Sequence, residues 1–207
     1  MDSSYDRVIF YLNEQLEKLS PLLDHLHKEV SNIIEDIKIE LNEILKLEFP
    51  LASEDSRKSL FIIKVSAALE NTFERLICEN YLHNSDVSVK LFKEVKKGRL
   101  SGFLTSVLVS YIVIFEVEKG KKLQEIFKIK SNSEIKTELE NLNGVRNEIA
   151  HIAAYSEMQS FRNYKIETAA TAFIYGVKSL ILIDSILKGK KLDNICSALD
   201  LQLNQQN

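Results

Sequence analysis

Six consecutive residues, Arg146-Asn147-Glu148-Ile149-Ala150-His151, carry side chains suited to phosphate. Arginine offers a fixed cationic fork to phosphate oxygens and stays charged at any working pH. Histidine passes protons near pH 7. An asparagine directly after the arginine completes the set. With six Arg and four His in the chain, an Arg followed five positions later by a His arises by chance in roughly one such chain in eight. Requiring the Asn lowers this to about one in a hundred, so the full set is worth following where the bare pair is not. The plainer reading makes Arg146 a surface charge and His151 a satisfied histidine on a partly apolar face.

Helical geometry constrains any joint role. Asn147 and His151 lie one turn apart on a single face. Arg146 lies about 140° around the axis from His151. The two reach one phosphate in one of three ways: at a distorted helix start, by bending of the long Arg side chain, or across a two-fold axis. In the last case the Arg of one protomer approaches the His of the other. Glu148 faces elsewhere by helical spacing and reads as a solvated charge.

The elements that must position these residues are helices. Only six Gly and two Pro occur in 207 residues, too few for many hairpins. A first helix is expected over 4–18. Ser20-Pro21 then reads as an N-cap and first helical position. The helix it opens carries Leu22, Leu26, Val30, Ile33, Ile37, Leu41 and Ile44, a heptad-like seam that needs a partner in its own chain or in a second copy. Phe49-Pro50 ends it, and Ser53 to Ser56 form a loop. Further helices are expected over 57–82, 87–96, 134–157 and 166–187, the last stopped by Gly189. Within 103–117, Val107, Val109, Ile112, Val113 and Ile114 are β-branched and suit a strand by propensity. A lone strand among helices has no partner, so they are read as a buried helix. Lys119 to Lys122 read as a basic turn around Gly120. Ser131 to Ser133 cap the motif helix, and Gly144 inside it costs about 1 kcal/mol relative to Ala. That cost fits a kink or the close approach of another backbone. Beyond the last helix the tail is read as polar and frayed.

In this setting the motif resembles the HEPN superfamily (higher eukaryotes and prokaryotes nucleotide-binding), whose small all-α domains carry Arg-Asn-x-x-x-His on a late helix. Ser66-Ala67-Ala68-Leu69-Glu70-Asn71-Thr72-Phe73 is similar to a small-small-Leu-Glu helix in HEPN groups of prokaryotic defence and toxin systems. The resemblance covers roughly residues 57–190. It implies an all-α, up-and-down HEPN-like bundle, here with an extra long N-terminal amphipathic helix pair. The implied organisation is an N-terminal extension over 1–50, a HEPN-like domain over 51–190 and a tail over 191–207. The implied activity is metal-independent endoribonuclease cleavage at a homodimer cleft, without a cofactor. The RNA 2′-OH attacks the adjacent phosphate, leaving a 2′,3′-cyclic phosphate and a free 5′-OH. His151 would be the general base or acid, Arg146 would stabilise the transition-state charge, and Asn147 would position one of them. RNA, a second copy and an antitoxin or defence-system protein are the implied partners. HEPN toxins paired with a nucleotidyltransferase antitoxin often carry Tyr two residues after the His. Here that residue is Ala153, and Tyr155 is no match, so adenylylation is not expected.

Other residues point to no rival chemistry. His25 and His27 lie about 200° apart on a helix and cannot chelate one metal from one face. His83 sits at a helix end. Cys78 and Cys196 have neither metal nor redox spacing, which fits a reducing compartment. The N-terminus lacks a basic region followed by an apolar run, and the run from Val107 to Phe115 is too short to span a bilayer. A cytoplasmic protein acting without a membrane is therefore expected. Net charge is −3, so nothing global demands nucleic acid. Three basic groups could track an RNA backbone if two of them flank the cleft: Lys93 to Arg99, Lys119 to Lys122, and Lys188 to Lys191. Two further readings stand beside the enzyme: a non-catalytic HEPN-like binding or assembly module, and a structural bundle with a chance motif.

Overall fold

The computed structural model describes residues 4–26, 28–46, 54–81, 102–151 and 159–203. The helix expected over 87–96, the stop at Phe49-Pro50, His27, His83, the basic group Lys93 to Arg99 and residues 152–157 of the expected motif helix lie outside them.

The described residues form α-helices and one 3-10 turn, with no strand among them. In chain order the helices are α1 Ser4–Leu23, α2 Lys28–Lys46, α3 Glu54–Tyr81, α4 Thr105–Phe115, α5 Val117–Lys128, α6 Ser133–His151, α7 Gln159–Asn163, α8 Ile166–Leu187 and α9 Leu192–Ala198. The protein is all-α.

Helix α8 is the hub. It is buried almost all round from Ala169 to Leu187, and α1, α3, α5, α6 and α9 all pack on it. By length and composition it could cross a bilayer, yet 83% of its most apolar window is buried within the bundle. A helix apolar on every side is what such a central position requires. Gly176 sits where α3 comes closest: a Cβ there would overlap the Leu69 side chain. The Ser66-to-Phe73 stretch of α3 is thereby locked against the hub.

The heptad-like seam finds its partners within the chain. Val30, Ile37 and Leu41 are buried as expected, but Ile34 and Leu45 take the core positions expected of Ile33 and Ile44, which are only partly buried; α2 packs against α1 and α3. One contiguous core runs from Val8 of α1 to Leu201 beyond α9. The chain between α1 and α2 does not turn where Ser20-Pro21 suggests. Helix α1 carries Pro21 inside it and ends at Leu23. Pro21 has no N–H to give the Glu17 carbonyl, a lost rung of the backbone ladder, but Leu12, Leu16, Leu19 and Leu23 extend one buried stripe. Burial of that stripe outweighs the local capping signal.

Two further expectations are corrected. Lys119 to Lys122 form no turn; they lie in α5, where Gly120 is buried against Val113 and lets α4 and α5 pack closely. Residues 190–203 pack on the bundle rather than fraying: Leu192, Cys196, Leu199 and Leu201 are buried; the end of the tail lies outside the described residues. The buried Asn132 side chain donates to the Gln202 carbonyl at 2.9 Å and accepts the Gln202 N–H at 3.0 Å. The β-branched run over 105–115 is a helix, as its lack of a strand partner implied.

Helix α6 also borders the hub with two acids one turn apart. The Tyr175 hydroxyl donates to Glu134. Burial, reinforced by Glu134, pushes the Glu138 carboxyl above its ordinary value.

Candidate active site

The motif lies on the last turn and a half of α6. Leu139, Leu142 and Val145 are buried and fix the helix's rotation, which decides where each motif residue points. Arg146 falls at the edge of the buried stripe and faces α3. Its Nη2 lies 4.0 Å from Oε1 of Glu70, with the two side chains 32% and 17% exposed. Its Nη1 donates to the Asn147 side-chain oxygen at 3.1 Å. Arginine and asparagine are therefore joined, half-buried, beside the small-small-Leu-Glu stretch of α3. His151 is the final residue of α6 and is exposed. The single chain thus brings Arg146 and Asn147 together and leaves His151 around the axis from Arg146, as the 140° offset requires.

Glu148 is not a solvated charge. Its carboxylate accepts the backbone N–H of Ser160 at 3.2 Å and of Phe161 at 3.0 Å. These are among the first amides of α7, which have no partner within that helix, and a carboxylate at a helix N-terminus also meets the positive end of its dipole. Bonds from the Ser160 side chain and the Phe161 backbone hold the Glu148 carboxyl below its ordinary range. A helical wheel of α6 alone could not show this, because the partner amides arrive from a different helix.

Phe161 is fully buried. Lys58 of α3 lies 4.3 Å above its ring and donates to its carbonyl at 2.5 Å. That placement strips water from the ammonium and lowers its pKa. Neither Lys58 nor Phe161 carried a signal in the sequence. The motif helix is thus tied to α3 on two sides, through Arg146 and Glu70 on one and through Glu148, α7 and Lys58 on the other.

Gly144, one turn before Asn147 and Glu148, is exposed, and a Cβ there would meet nothing within 4 Å. Among the described residues no backbone approaches it. On α3, Leu60 and Ile63 are 43% and 42% exposed. With the exposed Ala67 they form a stripe at helical spacing that runs toward Glu70 and Arg146.

Two of the basic groups face each other elsewhere. Lys121 and Lys122 of α5 and Lys190 and Lys191 after α8 line a groove of about 950 Å³ over Ile126 and Leu192. Glu118, Glu125 and Asp193 line it too, and no residue of α6 does. Other lysines of these groups serve helix ends. Lys119 donates to the Leu187 carbonyl at 2.7 Å. Lys188 pairs with the buried Asp184 at 2.8 Å and donates to the His25 carbonyl at 3.2 Å. Cys78 and Cys196 are buried free thiols, and burial pushes the Cys196 thiol up to about 11. Among the described residues no group of three or more His, Cys, Asp and Glu could hold a metal.

The arrangement defines an all-α bundle that presents an Arg-Asn pair and an exposed histidine on one late helix. No family model matches the chain, and no curated protein or solved structure matches it.

Proposed function

We propose that this protein is a metal-independent endoribonuclease of a toxin or antiphage defence system. It acts in the cytoplasm as a homodimer on a HEPN-like up-and-down bundle with an added N-terminal helix pair. The observation that carries this reading is the hydrogen-bonded, half-buried Arg146-Asn147 pair with an exposed His151 at the end of the same helix. His151 removes the proton from the RNA 2′-OH or protonates the leaving 5′-oxygen. The O2′–P bond forms, the P–O5′ bond breaks, and the products are a 2′,3′-cyclic phosphate and a 5′-OH. Arg146 offsets the charge that builds on the phosphoryl oxygens, and Asn147 orients the guanidinium through its side-chain oxygen.

The offset between Arg146 and His151 is closed by the second protomer. The exposed apolar stripe of Leu60, Ile63 and Ala67 beside Arg146 supports an interface there, since apolar surface next to a site marks contact with a partner. The test incubates purified protein with single-stranded RNA and examines product ends. Cleavage to cyclic phosphate ends, lost in both Arg146→Ala and His151→Ala, is the expected result. Intact RNA, together with unchanged cellular toxicity in both variants, refutes it.

One observation favours a second reading, a non-catalytic HEPN-like assembly module. Arg146 already has partners within its own chain, Glu70 and Asn147. On that reading Arg146→Ala alters stability or assembly, and RNA stays intact with the wild-type protein.

A further inference from the structure

The N-terminal end of α7, at Ser160 and Phe161, is caught by a carboxylate of α6. The group that catches it, Glu148, stands three residues before His151, so the two side chains lie about 60° apart on one face of the helix. Glu148 therefore links α7 to the turn of α6 that carries the histidine. That end of α7 is fixed three times over. The Glu148 carboxylate takes two amides of α7, the Phe161 ring is fully buried, and Lys58 bonds the Phe161 carbonyl while lying over the ring. A helix of only five residues has little stability of its own, so these contacts are what hold α7 in place.

We infer that Glu148, with Lys58 behind it, is a positioning residue: it clamps α7 to the motif helix and so fixes the last turn of α6 and the placement of His151. The catalytic part of this inference rests on the ribonuclease reading; the clamp itself does not. The motif then divides its labour by position. Arg146, bonded to Asn147, and Glu148 tie α6 to α3 from two sides, while His151 is exposed on the helix so secured. Glu148 touches no reacting atom and acts through α7 alone.

The test measures amide hydrogen exchange on the full chain at Ile149 to His151 and at Ser160 and Phe161. It measures kcat and KM for cleavage of a single-stranded RNA separately. Glu148→Ala removes both acceptor oxygens, Glu148→Gln keeps one, and Lys58→Met keeps the stem over Phe161 without its carbonyl bond. In Glu148→Ala both groups of amides exchange about tenfold faster, the scale of losing a helix cap, while exchange within α8 is unchanged. Its kcat falls about tenfold with KM within about twofold, the pattern of a misplaced proton-transfer group. Glu148→Gln and Lys58→Met show smaller effects in the same direction. Should Glu148→Ala unfold, exchange rises throughout α8 and the two milder variants carry the comparison. Unchanged exchange at Ser160 and Phe161 overturns the clamp. Faster exchange there, with His151 still protected and kcat unchanged, overturns the positioning role. If wild-type protein cleaves no RNA, the ribonuclease reading falls, and exchange at His151 alone decides whether the clamp positions it.

Discussion

Replacing Gly144 with alanine should make the protein more stable. The position is interior to α6, exposed, and open: an added methyl meets nothing within 4 Å. No clash opposes the gain in helix propensity, which is about 1 kcal/mol for Gly to Ala in a helix interior. Part of it comes from the unfolded chain, which has fewer conformations to lose. For a chain of this size about 1 kcal/mol raises Tm by roughly 2–4 °C. Thermal unfolding followed by far-ultraviolet circular dichroism measures this, repeated across a range of protein concentrations because the proposed dimer would make Tm concentration-dependent. A variant that melts at or below the wild-type temperature in dilute solution refutes the reasoning, because it means the Gly144 face is covered or its backbone is not ordinary helix. Cleavage measured on the same samples adds a separate result. A variant that is more stable but inactive identifies Gly144 as kept small for a group outside the chain, whether a second protomer or RNA.

The opposite sign is expected at Gly176, where a methyl overlaps Leu69. Gly176→Ala should lose about 1–3 kcal/mol by urea unfolding, as overpacked cores do, and an unchanged midpoint would contradict the close approach of α3 and α8. Arg146→Lys keeps the charge beside Glu70 but loses the planar fork. Cleavage should drop sharply while stability changes by less than about 1 kcal/mol, because the pair is partly exposed and 4.0 Å long; equal activity would argue against phosphate recognition by the guanidinium. Burial raises the Glu138 carboxyl in the folded protein. The folded state thus holds its proton more tightly than the unfolded state, and stability falls as pH rises from the ordinary carboxylate range through the raised value. Glu138→Gln should raise Tm at neutral pH, with the difference closing under acid conditions; a pH-independent difference would exclude this origin.

The parts of the fold legible in the sequence are those written in long periodic patterns. Helix α8 was expected over 166–187 and spans Ile166–Leu187, because its apolar content continues over six turns and Gly189 marks its end. The helix over 105–115 was reached against propensity: strand formers without a partner strand make poor strands. Short helices were not legible. Helices α7 and α9 span five and seven residues, too few for a period to emerge, and each exists through tertiary contacts. Pro21 misled for a related reason, since the local start signal was overruled by burial of Leu19 and Leu23. At the candidate site, helical spacing correctly separated Arg146 from His151. The same spacing failed for Glu148, whose role depends on amides 12 and 13 positions downstream. Glu70 was visible as part of a resemblance, but its contact with Arg146 depends on how α3 and α6 cross, which no single-helix pattern encodes.

The place of α8 at the centre has a consequence for how the chain is made. Synthesis runs from the N-terminus, so α1, α2 and α3 emerge well before the surface of α8 on which α1 and α3 pack. Until residues 166–187 are extruded, Val8, Leu12, Phe61, Leu69 and Phe73 have no complete core to enter. α1 and α2 can shield one another in the interval, but α3 keeps one apolar side bare. Such late closure slows folding through long-range contacts and leaves the nascent chain open to aggregation or to chaperones. The motif helix is held in that same interval. Ile135, Leu139 and Leu142 of α6 are buried in the finished core, and α6 packs on a helix not yet made. Arg146 and His151 thus take their final setting only after residues 166–187 have emerged, so the motif is synthesised before the surface that positions it.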